Sequence, residues 1–208
     1  MIIKTYSVLF LVVITLGIMS CKEQTPLLPS DYVQWVKDPD NGLVQIKTIK
    51  ELEFSAQYKP LAFVVAQEER TNTLAKTILE KRKKELGKDY LYYNFRIKNT
   101  AGSLSPVGSG AYSDQQYQNR LAYFTFDMQN DVYLLHGQDT FPCTLFQFVR
   151  SYDIAPYVEF ALGFKKEENT IIDQDLTFVF EDRILGIGTI KLLFDKHIFQ
   201  NTPTIKTS

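Results

Sequence analysis

The stretch LEFSAQYK, residues 52–59, sets apolar Leu52, Phe54, Ala56 and Tyr58 against polar Glu53, Ser55, Gln57 and Lys59. Successive side chains of a strand point to opposite faces, so this alternation predicts a strand with one buried side. LVQIKTI, residues 43–49, runs into it as a second strand, with Lys50-Glu51 as the connecting turn. That turn lacks the Asn-Gly that favours a two-residue hairpin loop. Beyond Pro60, YLYYNFRI (residues 90–97) alternates into a further strand ending near Lys98.

The second half carries short apolar-aromatic segments at regular intervals: residues 121–128, 132–135, 144–152, 157–164, 176–180 and 188–194. Asn130-Asp131, Gly137-Gln138-Asp139, Asp153 and residues 165–169 punctuate them. Short strands at this spacing, divided by turn residues, predict a mainly β fold, an antiparallel β-sandwich or barrel-like domain. The 15 Phe and 12 Tyr alternate with polar residues in many of these segments, as core-filling rings do. ILGIGTI, residues 184–190, places two glycines in an apolar stretch, which predicts a bulge or tight bend.

One amphipathic helix and one short amino-terminal helix complete the expected architecture. Ser30 and Asp31 can cap a helix through Val36 that docks Tyr32, Trp35 and Val36. Residues 71–86 form the clearer helix, with Thr71 as cap, Leu74, Ile78 and Leu86 on one stripe, Leu79 beside it, and Gly87 as stop. LAFVVAQEE, residues 61–69, fits a strand or a helix, with helix favoured. Lys81-Arg82-Lys83-Lys84 between Glu80 and Glu85 reads as a solvated face, with contact to anionic lipid heads as the functional alternative. DPDNG, residues 38–42, supplies turn residues. Its Asp-x-Asp-x-Gly spacing resembles the start of a calcium loop, but the third early ligand and the closing acid are missing.

Residues 99–113, NTAGSLSPVGSGAYS, form a long Gly/Ser-rich loop. Such loops are functional or mobile. This one reads as a mobile loop or a binding edge, and it lacks the Lys and Ser/Thr offset of a phosphate cradle.

The chain opens differently. Lys4 precedes an apolar run over residues 8–19 that is too short for the roughly 20 residues of a spanning helix but suits a secretory signal. Ile18-Met19-Ser20-Cys21 resembles a bacterial lipobox, a resemblance confined to residues 1–21. It implies acylation of the Cys21 sulfur, cleavage before Cys21, and acylation of the new amino group. Several acyl chains are needed because one gives only marginal membrane binding. Lys22 stands where inner-membrane lipoproteins often carry Asp, so the resemblance implies the outer membrane and leaves its face open. Residues 22–29, KEQTPLLP, read as a tether, and residues 30–208 as one β-rich domain.

Removing the first 20 of 208 residues leaves 188, enough to bury about 70% of the unfolded surface without a disulfide or metal. The 23 Lys plus Arg against 24 Asp plus Glu argue against a nucleic-acid partner, which calls for a basic excess. Cys143 reads as a small buried hydrophobe. His136 and His197 lack metal-ligand spacing. No serine sits in a Gly-x-Ser-x-Gly elbow. Asp173 and Asp175 form the one credible carboxylate pair, since neighbours such as Glu181 and Asp182 point oppositely on a strand. The sequence therefore assigns one site residue, Cys21, and no catalytic residue, metal or cofactor. It points to a lipid-anchored envelope protein with a binding or assembly role toward a partner. An envelope hydrolase of glycan or peptide and a small-ligand or glycan binder are the alternatives.

Overall fold

Eight strands form one antiparallel sheet in the order β1-β2-β3-β6-β5-β4-β7-β8 in a computed structural model of the protein. The strands are β1 (Val44–Ile49), β2 (Leu52–Lys59), β3 (Tyr90–Asn99), β4 (Val132–His136), β5 (Asp139–Val149), β6 (Tyr157–Lys165), β7 (Leu176–Glu181) and β8 (Thr189–Phe194). The sheet curls until β1 and β8 approach one another, giving a nearly closed, barrel-like fold. The structure describes residues 25–149, 154–167 and 170–208. The predicted signal segment and Cys21 lie outside them.

The period-two reading holds on β2, β3 and β8. Phe54 and Ala56 of β2 are buried, as are Leu91, Tyr93, Phe95 and Ile97 of β3 and Ile190, Leu192 and Phe194 of β8. Lys50-Glu51 is the β1–β2 turn, with Ile49 opposite Leu52 and Lys50 at φ +53°. Inside the curl the rings pack on one another. Phe95 lies 4.8 Å from Phe178 and 5.5 Å from Phe180, centroid to centroid. Tyr93 meets Phe164 and Phe194 edge-on at 5.5 and 5.3 Å. Offset and edge-on pairs of this kind add about 0.5–1.5 kcal/mol each beyond the area they bury.

A bulge bends β5. Cys143 pairs with Phe164 but Leu145 pairs with Gly163, so Thr144 is the extra residue. Leu145 then lies over the Gly163 backbone, where an added Cβ would stand 2.9 Å from Leu145 Cβ. Only glycine fits that approach.

Helices are more numerous than the sequence predicts. The described residues form five α-helices, α1 (Pro29–Lys37), α2 (Leu61–Glu69), α3 (Lys76–Leu86), α4 (Asp114–Ala122) and α5 (His197–Asn201). Residues 121–128, expected as a strand, are instead the end of α4, a π turn over Tyr123–Asp127 and the start of a 3-10 turn over Met128–Asp131. Phe124 and Met128 are fully buried from this segment, which plugs one end of the barrel. The third helix also starts later than expected. Thr71 accepts from the Thr73 N–H at 3.1 Å instead of capping, Leu79 faces inward, and Ile78 is exposed. Gly87 follows α3 as its cap, as expected. The basic run on α3 is a paired, solvated face: Arg82 meets Glu68 at 2.7 Å and also Glu85, and Lys83 meets Glu80 at 3.1 Å.

Helices α1, α2 and α3 form a second, smaller core outside the barrel. Tyr32, Val36, Leu43, Phe63, Val65, Leu74, Leu79 and Ile205 are buried in it, with Trp35 packed at its margin. Leu27, assigned to the tether by its sequence, is tied into the fold: its N–H donates to Thr204 O at 2.9 Å, and its carbonyl accepts from Lys206 N at 2.7 Å. DPDNG folds as a 3-10 turn in which Asp38 accepts from the Asp40 N–H at 3.1 Å.

Candidate functional site

The strand ends Ile49, Leu52 and Asn99 lie at the plugged end of the barrel, together with the β7–β8 connection. Around them opens a cavity of about 280 Å³, lined also by Lys50, Glu51, Pro106, Ser109, Arg120, Leu185 and Ile187. Besides the β1–β2 turn, three separate segments build it.

The first is the Gly/Ser-rich loop. Asn99 falls in the inward register of β3, so its side chain is buried where the strand ends. From there Nδ2 donates to Leu104 O and Ser109 Oγ, both at 3.1 Å, and Oδ1 accepts from the Ala101 N–H at 3.0 Å. Ser105 O accepts from the Ser109 N–H at 2.8 Å and closes an inner turn. The loop is therefore anchored by its own first residue.

The second segment is α4. Ser113 caps it by accepting from the Gln116 N–H at 3.3 Å, while Gln116 Oε1 accepts from the Tyr112 N–H at 2.8 Å. This reciprocal exchange is close to a capping box. The cap fixes the helix direction, and Arg120 reaches back from its last turn to the loop. The guanidinium donates to Pro106 O at 3.3 Å and to Ser109 O, with a longer 3.5 Å contact to Gly110 O.

The third segment joins β7 to β8. Asp182 accepts three backbone N–H groups, from Ile184 at 2.9 Å and from Leu185 and Ile187 at 2.7 Å each. Gly186 and Gly188 carry φ +70° and +78°, the left-handed turns this wrap requires. ILGIGTI is thus a tight bend that presents Leu185 and Ile187 to the cavity. Arg183 beside it reaches Asp131, whose buried Oδ1 lies 2.5 Å from Nη2 without hydrogen-bond alignment. Asp131 Oδ2 accepts from Tyr123 OH at 2.9 Å. Burial first, then this bond to a carboxylate, pushes the Tyr123 hydroxyl well above the usual tyrosine range.

The other sequence candidates are scattered. Cys143 is buried on the inner face of β5, its thiol donates to Leu145 O at 3.3 Å, and burial pushes it up to about 12. The small-hydrophobe reading stands. His136 is buried at the opposite end of the sheet, next to the β4–β5 turn. Its Nε2 accepts from the Gln174 N–H at 3.4 Å and lies 3.3 Å from Asp173 Oδ1. One nitrogen cannot serve both: accepting needs a lone pair, and binding the carboxylate needs a proton. Asp175 accepts from the Lys196 N–H at 2.9 Å, so each of the two aspartates has its own separate partner. Glu181 accepts from Tyr133 OH at 2.7 Å. His197 is exposed at the start of α5.

The residues that sequence reasoning missed are Arg120, Leu185 and Ile187. The loop and the two-glycine bend were both visible as unusual, but nothing in their spacing brings them together. No family model matches the chain, and comparison with curated proteins and with solved structures gives no match.

Proposed function

We propose that this protein is a bacterial lipoprotein held at the outer membrane through acylated Cys21, and that its β domain binds a ligand or partner at the barrel mouth without chemistry of its own. The observation that carries the reading is the mouth cavity itself. An anchored loop, a capped helix and a carboxylate-wrapped bend hold apolar and polar side chains apart around a concave space, the usual form of a small-ligand site. Among the described residues, the one imidazole–carboxylate contact is at the far end of the sheet, away from this cavity, which weighs against a hydrolase centred here.

Exposed apolar side chains support a protein partner as a second reading. Leu104, Tyr112, Phe126, Val149 and Ile154 all lie on or beside connections at the mouth end. Where exposed apolar groups form one contiguous patch they mark an interaction surface.

Two measurements test the proposal. Replacing Cys21 by Ser removes fatty-acid labelling and releases the chain from membranes; unchanged labelling ends the lipoprotein reading. Native mass spectrometry of the chain taken from envelope membranes is expected to retain a non-covalent mass that denaturation removes, or a second polypeptide. A bare chain under mild conditions counts against binding.

A further inference from the structure

The mouth cavity joins a cation to an apolar floor, and among the described residues the cation has no anionic partner. Arg82, Arg96 and Arg183 each sit on a carboxylate. Among the described residues half-buried Arg120 has none within 4.0 Å, although Glu51 lines the same cavity; its contacts are the neutral carbonyls of the loop. Those carbonyls hold the guanidinium in place while leaving its charge uncompensated. Three carbonyl contacts against five N–H donors leave capacity for a ligand. Lys50 and Glu51 offset one another, so the lining carries a net positive charge that belongs to Arg120. Partial burial makes the pairing of such a charge stronger than in open water.

The rest of the lining sets the shape of what would bind. Ile49, Leu52, Leu185 and Ile187 supply aliphatic surface. A cavity of about 280 Å³ sits at the small end of ligand pockets, which run from about 300 Å³ upward.

We propose that this cavity binds a small amphipathic monocarboxylate, its carboxylate on Arg120 and its short aliphatic body against Leu52, Leu185 and Ile187. The inference rests on the mouth being a binding site and names its ligand class. A medium-chain fatty acid and the last residue of a peptide with an aliphatic side chain share this chemistry. A planar guanidinium fits a carboxylate through two parallel N–H donors, which an ammonium does not.

Amide NMR on the labelled full chain tests it with octanoate, N-acetyl-leucine, 1-octanol and octylamine. Octanoate or N-acetyl-leucine is expected to shift the amides of Ile49, Leu52, Leu185 and Ile187 in a saturable way, and whichever binds more tightly identifies the source. Octanol is expected to bind at least tenfold more weakly, and octylamine not at all. Arg120→Gln should weaken the carboxylate at least tenfold. Because Arg120 also holds the loop, Ile187→Glu supplies the control. It keeps the backbone bond to Asp182 and sets a fixed negative charge in the cavity. Carboxylate binding should vanish and octylamine binding should appear, a reversal that a collapsed mouth cannot produce. Equal binding of octylamine and octanoate to the natural chain, or an Arg120→Gln variant that binds octanoate unchanged, overturns the proposal. If octanol alone saturates these amides, the carboxylate assignment falls and the binding reading stands. If no probe shifts them, both fall.

Discussion

The barrel interior and the helical pad beside it are both apolar, but they are held together differently. In the interior, five rings from four strands interlock: Phe54, Phe95, Phe160, Phe178 and Phe180 form one connected set. Every one of them sits on a strand whose neighbours are fixed by backbone ladders. The pad is assembled from short helices plus single residues such as Leu43 and Ile205 from other parts of the chain. Tyr58 packs against both, meeting Tyr93 at 5.4 Å and Phe199 at 4.9 Å on the barrel side. Regions with fewer shared contacts open at lower free energy than the global core. The difference teaches that the barrel carries the cooperative fold and that the pad can loosen without it.

Four substitutions can break or sharpen that contrast. Phe95→Ala removes the ring that meets all four others of this set and should cost about 3–5 kcal/mol, read from urea unfolding, with amide protection falling on all eight strands together. Protection lost on β2 and β3 alone would mean that the interior is not one unit. Val36→Ala, at the centre of the pad, should cost about 2 kcal/mol, with faster exchange limited to α1, α2 and α3. If the strands respond equally, the separation between the two regions fails. Gly163→Ala presses a methyl group into Leu145 and should cost about 1–2 kcal/mol, with amide shifts centred on the β5 bulge. The smallest effect belongs to Tyr93→Phe. Its hydroxyl is buried with no hydrogen-bond partner among the described residues, so removing the oxygen should leave the urea midpoint unchanged or raise stability by less than about 1 kcal/mol. A clear loss would reveal a partner for that hydroxyl.

Strand periodicity made much of the barrel legible, because inward and outward residues alternate without interruption on β2, β3 and β8. The plug was misread for a physical reason. Leu121, Phe124 and Met128 follow a helical spacing and pack inward, but the segment is so short and aromatic that it resembles the strands around it. The late start of α3 has a tertiary cause: Leu74 is buried in the pad and its carbonyl accepts from the Ser208 N–H at 3.0 Å, which holds the chain outside the helix. At the mouth, the loop over residues 99–113 was conspicuous, and the two-glycine bend was visible as a turn. Their meeting with Arg120 was not legible, since the carbonyls that hold this side chain belong to a loop 10 to 14 positions earlier in the chain.

The paired bonds between Leu27 and residues 204 and 206 have a mechanical meaning. A pull on the chain ahead of Leu27 is met first by these two bonds, and because Leu27 and Ile205 pair as a parallel bridge, a force along the chain loads both bonds together rather than one after the other. The carboxyl-terminal segment that meets this pull is itself tied to the pad, where the Ser208 N–H donates to Leu74 O at 3.0 Å.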